Sequence, residues 1–218
     1  MPDDLRHSRP RRAATPDVFA KTPGGGVMLT FIQMHGEPGS GKSTLARALG
    51  ARLPAVVIDK DLIASGAILA GVPFANAGAV AYEALWLLLP SVLDQGHSVI
   101  HDSPCYWPKI EDTGRAIAAR RRARYEMVEV TADPDIVESR LATRQALESN
   151  PVGRLTALRP GMYRPSTPHL VLDSSRRHAN ELAEAAVAWL RESASAAEPS
   201  TSLPLAREVG RGGRGVRV

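Results

Sequence analysis

The chain has 218 residues, of which 44% are hydrophobic and 23% are charged, a balance that suits one globular domain with tails and excludes a wholly disordered chain. Its lone cysteine, Cys105, excludes an internal disulfide framework and a multi-thiolate metal site, so we expect a reducing cytoplasm. The net charge of +4 sits mainly in the two ends, so nucleic acid is not a favoured partner.

The two ends of the sequence differ in composition from the middle. Residues 1–27 are rich in Pro, Arg and Asp, and residues 192–218 are rich in Ser and Ala and then in Gly and Arg. These patterns predict a disordered N-terminal extension and a disordered C-terminal tail around one domain at residues 28–191. No signal-peptide core is present in residues 1–27, and the apolar stretch at 77–93 is short of the roughly 20 residues of a membrane span. We therefore expect no membrane partner.

Strand and helix patterns alternate along the middle of the chain. Apolar and β-branched runs predict strands, and apolar residues at helical spacing predict helices. The strands are predicted at residues 28–35, 55–59, 98–102, 125–130 and 170–173. The helices are predicted at residues 43–53, 79–93, 110–122, 133 to about 144, and 180–191. Short buried strands separated by helices predict an α/β fold, with a five-stranded parallel sheet covered by helices on both faces.

The turn after the first predicted strand carries the P-loop pattern Gly-x-x-x-x-Gly-Lys-Ser at residues 36–43. Its glycines let backbone N–H groups point at one anion, and the following helix adds unpaired amides and its positive dipole end. Lys42 is expected to reach the β- and γ-phosphates, and the Ser43 hydroxyl to bind Mg²⁺. The predicted nucleotide-binding residues are Gly36, Glu37, Pro38, Gly39, Ser40, Gly41, Lys42, Ser43 and Thr44.

Carboxylates follow two of the other predicted strands. Asp61 follows the second strand and is the candidate that orients an attacking hydroxyl or accepts its proton. Asp59 is the alternative, and both side chains could instead cap the next helix. Asp102 ends the third strand in the Walker-B pattern, so we expect it to serve Mg²⁺ together with Ser43.

A long segment without a clear period precedes the last predicted strand. Residues 145–168 contain four prolines and two glycines, and a loop of this length is usually functional or disordered. We place a lid at about residues 141–168. Arg140 and Arg144 lie one helical turn apart at its start, and we predict that they neutralise charge during phosphoryl transfer. Further arginines within the segment are Arg154, Arg159 and Arg164.

For other polar and aromatic residues near the predicted strand ends, we expect mainly packing or supporting roles. Tyr106 and Trp107 either wall the acceptor site or form a packed loop corner. Cys105 is expected to be a passive thiol, because phosphoryl transfer requires no enzyme thiol. His35 and His101 end strands, and we expect them to pack or to support other residues.

The segments at residues 34–46, 57–61 and 99–103 together resemble the kinase-like P-loop ATPases, an AAA-type group of small P-loop kinases. This group includes zeta toxins, chloramphenicol phosphotransferase, gluconate kinase and the 5′-hydroxyl polynucleotide kinases. The resemblance implies adenylate-kinase-like topology, with the third strand beside the first and Asp102 next to the P-loop. It also implies ATP–Mg²⁺ as donor and an acceptor site after the second strand. Several relatives carry an arginine three residues after the acceptor-site aspartate, where this chain has Ala64.

The combined pattern predicts an ATP- and Mg²⁺-dependent phosphotransferase that acts on a hydroxyl of a small molecule. The region at residues 64–79 is small and apolar, which favours a small, partly apolar acceptor. One alternative is a nucleoside or polynucleotide 5′-hydroxyl kinase, whose binding would depend steeply on salt. Another is an ATP-binding regulatory module without an acceptor, which burial of Asp61 in a helix cap would favour.

Overall fold

The structure, a computed structural model, describes residues 28–143 and 163–196. The strands are β1 (Thr30–His35), β2 (Ala55–Asp59), β3 (Ser98–Asp102), β4 (Arg124–Thr131) and β5 (Leu170–Asp173). The helices are α1 (Lys42–Gly50), α2 (Lys60–Leu69), α3 (Phe74–Asp94), α4 (Pro108–Arg120), α5 (Pro134–Thr143) and α6 (Ala179–Ala196). The predicted strands and the predicted α/β class are confirmed.

The strands form one parallel sheet in the order β2-β3-β1-β4-β5. β3 therefore lies beside β1, as the resemblance implied. β1 is central: the connection from β1 leads to β2 on one side of the sheet, whereas the connection from its neighbour β3 leads to β4 on the other side. In open α/β sheets such a switch point forms a crevice at the carboxyl ends of the strands. The loop that follows β1 begins at this crevice.

Both faces of the sheet are covered, because side chains alternate along each buried strand. Ile32 and Met34 of β1 pack in one core cluster with residues of α1 and α6. Phe31 points to the other face and packs in a second cluster with residues of α3 and α4. All three side chains are fully buried. The sheet is thus the middle layer of three, and its position fixes where each strand end opens.

Among the described residues, one helix was not predicted by the sequence patterns. α2 begins directly after β2, where the Asp59 side chain accepts a hydrogen bond from the Asp61 N–H at 2.8 Å. Its residues are mostly small and apolar, so they give a weak amphipathic period. The next helix, α3, begins at Phe74 rather than at residue 79. The region after β2 is therefore a pair of packed helices.

The C-terminal helix α6 continues five residues beyond its predicted end at residue 191, to Ala196. In this last part Ala194 is buried, and the Ser193 hydroxyl donates a hydrogen bond to Glu126 at 2.6 Å. Residues 192–196, which we predicted as the start of the tail, thus belong to α6. The predicted N-terminal extension, the rest of the tail and most of the predicted lid lie outside the described residues.

Within the described residues, α3 is long and apolar enough to cross a membrane, judged by length and composition alone. One stripe of the helix, however, belongs to the core of the domain. The buried residues of this stripe are spaced four apart: Ala77, Ala81, Leu85, Leu89 and Leu93. Leu87, on the opposite face, is 75% exposed. The absence of a membrane partner stays a prediction.

Candidate active site

The P-loop connects β1 to α1 through backbone conformations that favour glycine. Gly36, Gly39 and Gly41 have φ angles of +136°, +84° and +93°, which other residues rarely adopt. A Cβ at Gly36 would also lie 2.3 Å from the carbonyl oxygen of Val130. Gly41, the N-terminal cap residue of α1, makes no side-chain cap hydrogen bond to the helix. The start of a helix that no cap side chain covers is a common binding site for anions.

Two side chains from distant elements support the P-loop. The Ser174 hydroxyl, just after β5, donates to the Ser40 carbonyl oxygen at 2.6 Å. The Arg140 guanidinium of α5 donates to the Ser174 hydroxyl at 2.8 Å, to the Ser174 carbonyl at 2.8 Å and to the Gly39 carbonyl at 3.3 Å. The loop is thus tied to both α5 and β5.

The carboxylates that follow β2 and β3 lie side by side, because Asp59 and Asp102 are register partners in the sheet. Asp102 is 2% exposed, and neither of its carboxylate oxygens has a hydrogen-bond partner among the described residues. Burial raises the pKa of the Asp102 carboxyl to about 6, and the charge of Asp59 adds to the rise. The Lys42 charge opposes this shift.

The oxygens of Asp102 and Ser43 fit a Mg²⁺ ion. Both are hard oxygen donors, and the two oxygens of Asp102 lack partners although they are buried. No group of three or more His, Cys, Asp or Glu residues within the described ranges could hold a metal. Mg²⁺ in nucleotide sites keeps waters and phosphate oxygens as ligands, so one carboxylate and one hydroxyl match its needs.

Asp59 and Asp61 differ in what their side chains do. Asp59 caps α2 through its hydrogen bond from the Asp61 N–H, and burial raises the pKa of the Asp59 carboxyl. The side chain of Asp61 takes no part in this cap. It lines a cavity of about 470 Å³ that also includes Lys42, Ser43 and Arg140. Asp61 is therefore the carboxylate that shares a cavity with the P-loop.

The surroundings of Asp61 include a lysine and an aromatic wall. Lys60 Nζ lies 2.7 Å from Asp61 Oδ1 and 5.7 Å from the centre of the Tyr82 ring. The Tyr82 hydroxyl donates to the Pro104 carbonyl at 3.0 Å, which joins α3 to the loop after β3. In that loop Trp107 is 51% exposed. The exposed indole is accessible to a bound acceptor, and the role of Trp107 in the wall of the acceptor site stays a prediction.

The cavity brings together most of the predicted site residues. Beyond those already named, it is lined by the predicted residues Gly39, Gly41 and Thr44. Arg144, Arg154 and Arg159 lie outside the described residues, and Arg164 is exposed. The catalytic roles predicted for Lys42, Asp61, Arg140 and Arg144 stay predictions.

The buried cysteine and histidines have the character of packing residues. Burial raises the pKa of the Cys105 thiol to about 12, which keeps it a neutral thiol. Burial lowers the pKa of His101 to about 3, and its Nδ1 lies 2.8 Å from the Gln33 side-chain oxygen. Burial also lowers the pKa of His35. None of these residues lines the cavity that the P-loop shares with Asp61.

Besides Arg47 of α1, sequence patterns missed three polar cavity residues from another part of the chain: Ser174, Arg177 and His178. All three follow β5, the last strand of the sheet. The rule that ligands bind beyond the carboxyl ends of parallel strands applies to β5 as it does to β2 and β3. The signal was therefore present in the sequence, although the residue types after β5 form no motif.

Comparison with known proteins identifies the family to which this chain belongs. A family model described as an AAA domain matches residues 31–158, which is more than half of the chain. The chain therefore belongs to this family, and its resemblance to the kinase-like P-loop proteins is confirmed. No curated protein matches the chain.

Solved structures of small kinases share the fold. The APS kinase CysC of Mycobacterium tuberculosis, in complex with AMPPNP and APS, aligns with a TM-score of 0.58 and 20% identity over 76% of this chain and 98% of that chain. A sugar kinase from Janibacter sp. HTCC2649 aligns with a TM-score of 0.55 and 16% identity over 78% and 99%. A gluconokinase from Sinorhizobium meliloti 1021 aligns with a TM-score of 0.50 and 17% identity over 77% and 94%. At these identities the likeness shows the fold alone.

Proposed function

We propose that the protein is an ATP- and Mg²⁺-dependent phosphotransferase that acts on a hydroxyl group of a small molecule. The observation that carries this proposal is that Asp61 lines the same cavity as Lys42, Ser43 and Arg140. In-line phosphoryl transfer to a hydroxyl needs residues that bind the phosphates and a carboxylate that orients the hydroxyl. Residues of both kinds line this cavity. The fold shared with an APS kinase, a sugar kinase and a gluconokinase supports the same class.

In the proposed reaction, the P-loop amides and Lys42 hold the triphosphate of ATP. Asp61 orients the acceptor hydroxyl and accepts its proton while the hydroxyl oxygen attacks the γ-phosphorus. A new O–P bond forms as the bond to the β-phosphate oxygen breaks and ADP leaves. Ser43 and Asp102 would hold Mg²⁺, which neutralises the charge that develops on the phosphate oxygens. Arg140 and Arg144 would add positive charge from α5 and the segment after it.

The proposed acceptor is small and partly apolar. Leu62, which follows Asp61 in α2, is 51% exposed. Ala64, at the position where several relatives carry arginine, is 1% exposed and packs against α3. A long cationic side chain at this inward-facing position would have to enter the α2–α3 packing. These features favour an acceptor that carries no phosphate group near Ala64.

We also propose that the protein acts in the cytoplasm, because ATP as the donor and a reduced Cys105 both suit that compartment.

The structure also bears on the alternative of a regulatory ATP-binding module without an acceptor. That alternative would be favoured if Asp61 were buried in a helix cap and remote from the P-loop. Asp59 provides the cap instead, and Asp61 lines the cavity. The transferase proposal therefore uses a carboxylate that the regulatory alternative leaves without a role.

Transfer of label from γ-labelled ATP, with Mg²⁺ and a panel of acceptors, tests the proposal. The panel contains small neutral alcohols and sugars, nucleosides and 5′-hydroxyl oligonucleotides. We expect the wild type to label a small neutral acceptor. Asp61→Asn should slow transfer by roughly 10²–10⁴-fold while MgATP binding persists. Asp59→Asn, which retains a capping side chain, is the matched control. Full transfer by Lys42→Ala or Asp61→Asn would contradict the proposal, and labelling confined to oligonucleotides would select the polynucleotide kinase.

A further inference from the structure

The peptide unit between Ser40 and Gly41 is held from outside the P-loop. The Ser174 hydroxyl donates to the carbonyl oxygen of Ser40 at 2.6 Å. In a trans peptide, the carbonyl of one residue and the N–H of the next point in opposite directions. The bond from Ser174 therefore also fixes the direction of the Gly41 N–H, on the far side of the peptide plane from Ser174.

This peptide unit would otherwise have unusual freedom. Gly41 has a φ of +93°, and glycine populates both signs of φ with similar ease. A peptide flanked by such a residue can rotate, which would turn the Gly41 amide away from an anion in the cavity. Gly41 is also the N-terminal cap of α1, so the same rotation would disturb the start of that helix.

Arg140 completes the support from the side of α5. Its guanidinium donates to the Ser174 hydroxyl at 2.8 Å and to the Gly39 carbonyl at 3.3 Å. The hydroxyl of Ser174 thus accepts from Arg140 and donates to Ser40, so each of its hydrogen-bond roles has a partner. Ser174 is 6% exposed, and little water is available to replace these bonds.

We propose that Ser174, oriented by Arg140, is a positioning residue that holds the P-loop in its phosphate-binding conformation before the nucleotide arrives. The inference rests on the proposed function, because it assumes that the P-loop binds the phosphates of ATP. It assigns Arg140 a role in the nucleotide-free protein, beside the role in transfer predicted for it. Ser174 lies 134 residues from Ser40 in the chain, so only the fold brings the two together.

Calorimetry with two probes, MgATP and adenosine, separates positioning of phosphates from general damage to the site. We expect Ser174→Ala to weaken MgATP binding about ten-fold and to leave adenosine binding unchanged. Ser174→Thr, which keeps the hydroxyl, should restore most of the MgATP affinity. Ser175→Ala is the matched control, since the Ser175 hydroxyl bonds to Asp173 and to the Asp133 N–H. It should bind both probes as the wild type does.

Equal MgATP affinity in Ser174→Ala and the wild type would overturn the inference. An equal loss of MgATP and adenosine binding would also overturn it, because that loss indicates a merely structural role. A second measurement needs no nucleotide: the NMR amide signal of Gly41 should be single in the wild type and broadened by exchange in Ser174→Ala. A wild type that binds no MgATP would contradict the proposed function, while the Gly41 signal would still decide the role of Ser174.

Discussion

At the scale of single residues, the glycines of the P-loop do two different things. Gly39 and Gly41 supply left-handed backbone conformations. Gly36 adds a close approach, because a Cβ there would lie 2.3 Å from the Val130 carbonyl oxygen and 2.8 Å from the Ser40 hydroxyl oxygen. Backbone cannot move away as a flexible side-chain tip can. We therefore expect Gly36 to be the least replaceable residue of the three.

Gly36→Ala should lower the free energy of unfolding by about 2 kcal/mol or more, from strain at positive φ together with the clash. It should also weaken MgATP binding, because the start of the loop must shift. Gly78→Ala is the control: this glycine lies inside α3 and a Cβ there would meet nothing within 4 Å. That variant should gain up to about 1 kcal/mol. Urea denaturation measures both, and a Gly36→Ala variant as stable as the wild type would disprove the clash.

The residues of the site could be predicted to the extent that their signal is local in the chain. Lys42 and Ser43 belong to one contiguous motif whose spacing carries the chemistry. Asp102 could be predicted because it ends an apolar strand. The choice between Asp59 and Asp61 needed the cap of α2, and the hydrogen bonds from Ser174 to the P-loop needed the fold itself. Hydrogen bonds between residues far apart in sequence leave no periodic pattern to find.

At the scale of elements, α4 anchors the chain that leads into β5. Glu111 of α4 is fully buried and accepts hydrogen bonds from the Ser166 N–H at 3.1 Å, the Ser166 hydroxyl at 2.9 Å and the Thr167 N–H at 3.0 Å. The Thr167 hydroxyl also donates to it. Burial alone would raise the pKa of the Glu111 carboxyl, but these hydrogen bonds outweigh burial and lower it.

Glu111→Gln should lower the free energy of unfolding by roughly 2 kcal/mol at neutral pH, because an amide cannot accept all of these bonds. A lowered pKa means that the carboxylate stabilises the fold fully above the usual Glu pKa of about 4.3. This stabilisation is lost as the pH falls through the lower pKa of the folded state. Denaturation midpoints between pH 7 and pH 3 should therefore converge for variant and wild type. Exposed Glu83→Gln is the control, and a gap that stays constant with pH would contradict this account of Glu111.

The elements themselves could be predicted where apolar periodicity is strong. The five strands were predicted because each is an apolar run between polar turns, whereas α2 was missed. Its residues include Ala64, Gly66 and Ala67, whose small side chains give little amphipathic contrast. α2 is stabilised by its cap at Asp59 and by its packing against α3. Neither feature shows in the apolar periodicity of the helix itself.

At the scale of the whole molecule, the sheet separates two cores, and α3 shows how each helix divides between core and surface. Leu89 of α3 is fully buried, whereas Leu87 on the same helix is 75% exposed. A helix that belongs to the core of this domain needs its inner stripe and tolerates changes on its outer face. The two leucines therefore form a matched pair within one helix.

Leu89→Ala should cost about 2–5 kcal/mol of unfolding free energy, from lost burial and the cavity left behind. Leu87→Ala should change it by no more than about 0.5 kcal/mol. Thermal or urea denaturation of the two variants, read against the wild type, gives both values. Equal effects of the two substitutions would show that α3 does not pack in solution as it does in this structure.

The proposed function depends on the loop between β1 and α1, which we expect to bind the phosphates of ATP. Titration of the folded wild type with MgATP in a calorimeter tests it most directly, with Lys42→Ala as the comparison. We expect binding that needs Mg²⁺ and that weakens roughly ten- to hundred-fold in Lys42→Ala, since a hydrogen-bonded charge is lost. No binding of MgATP to the folded wild type, or equal affinity in Lys42→Ala, would contradict the account.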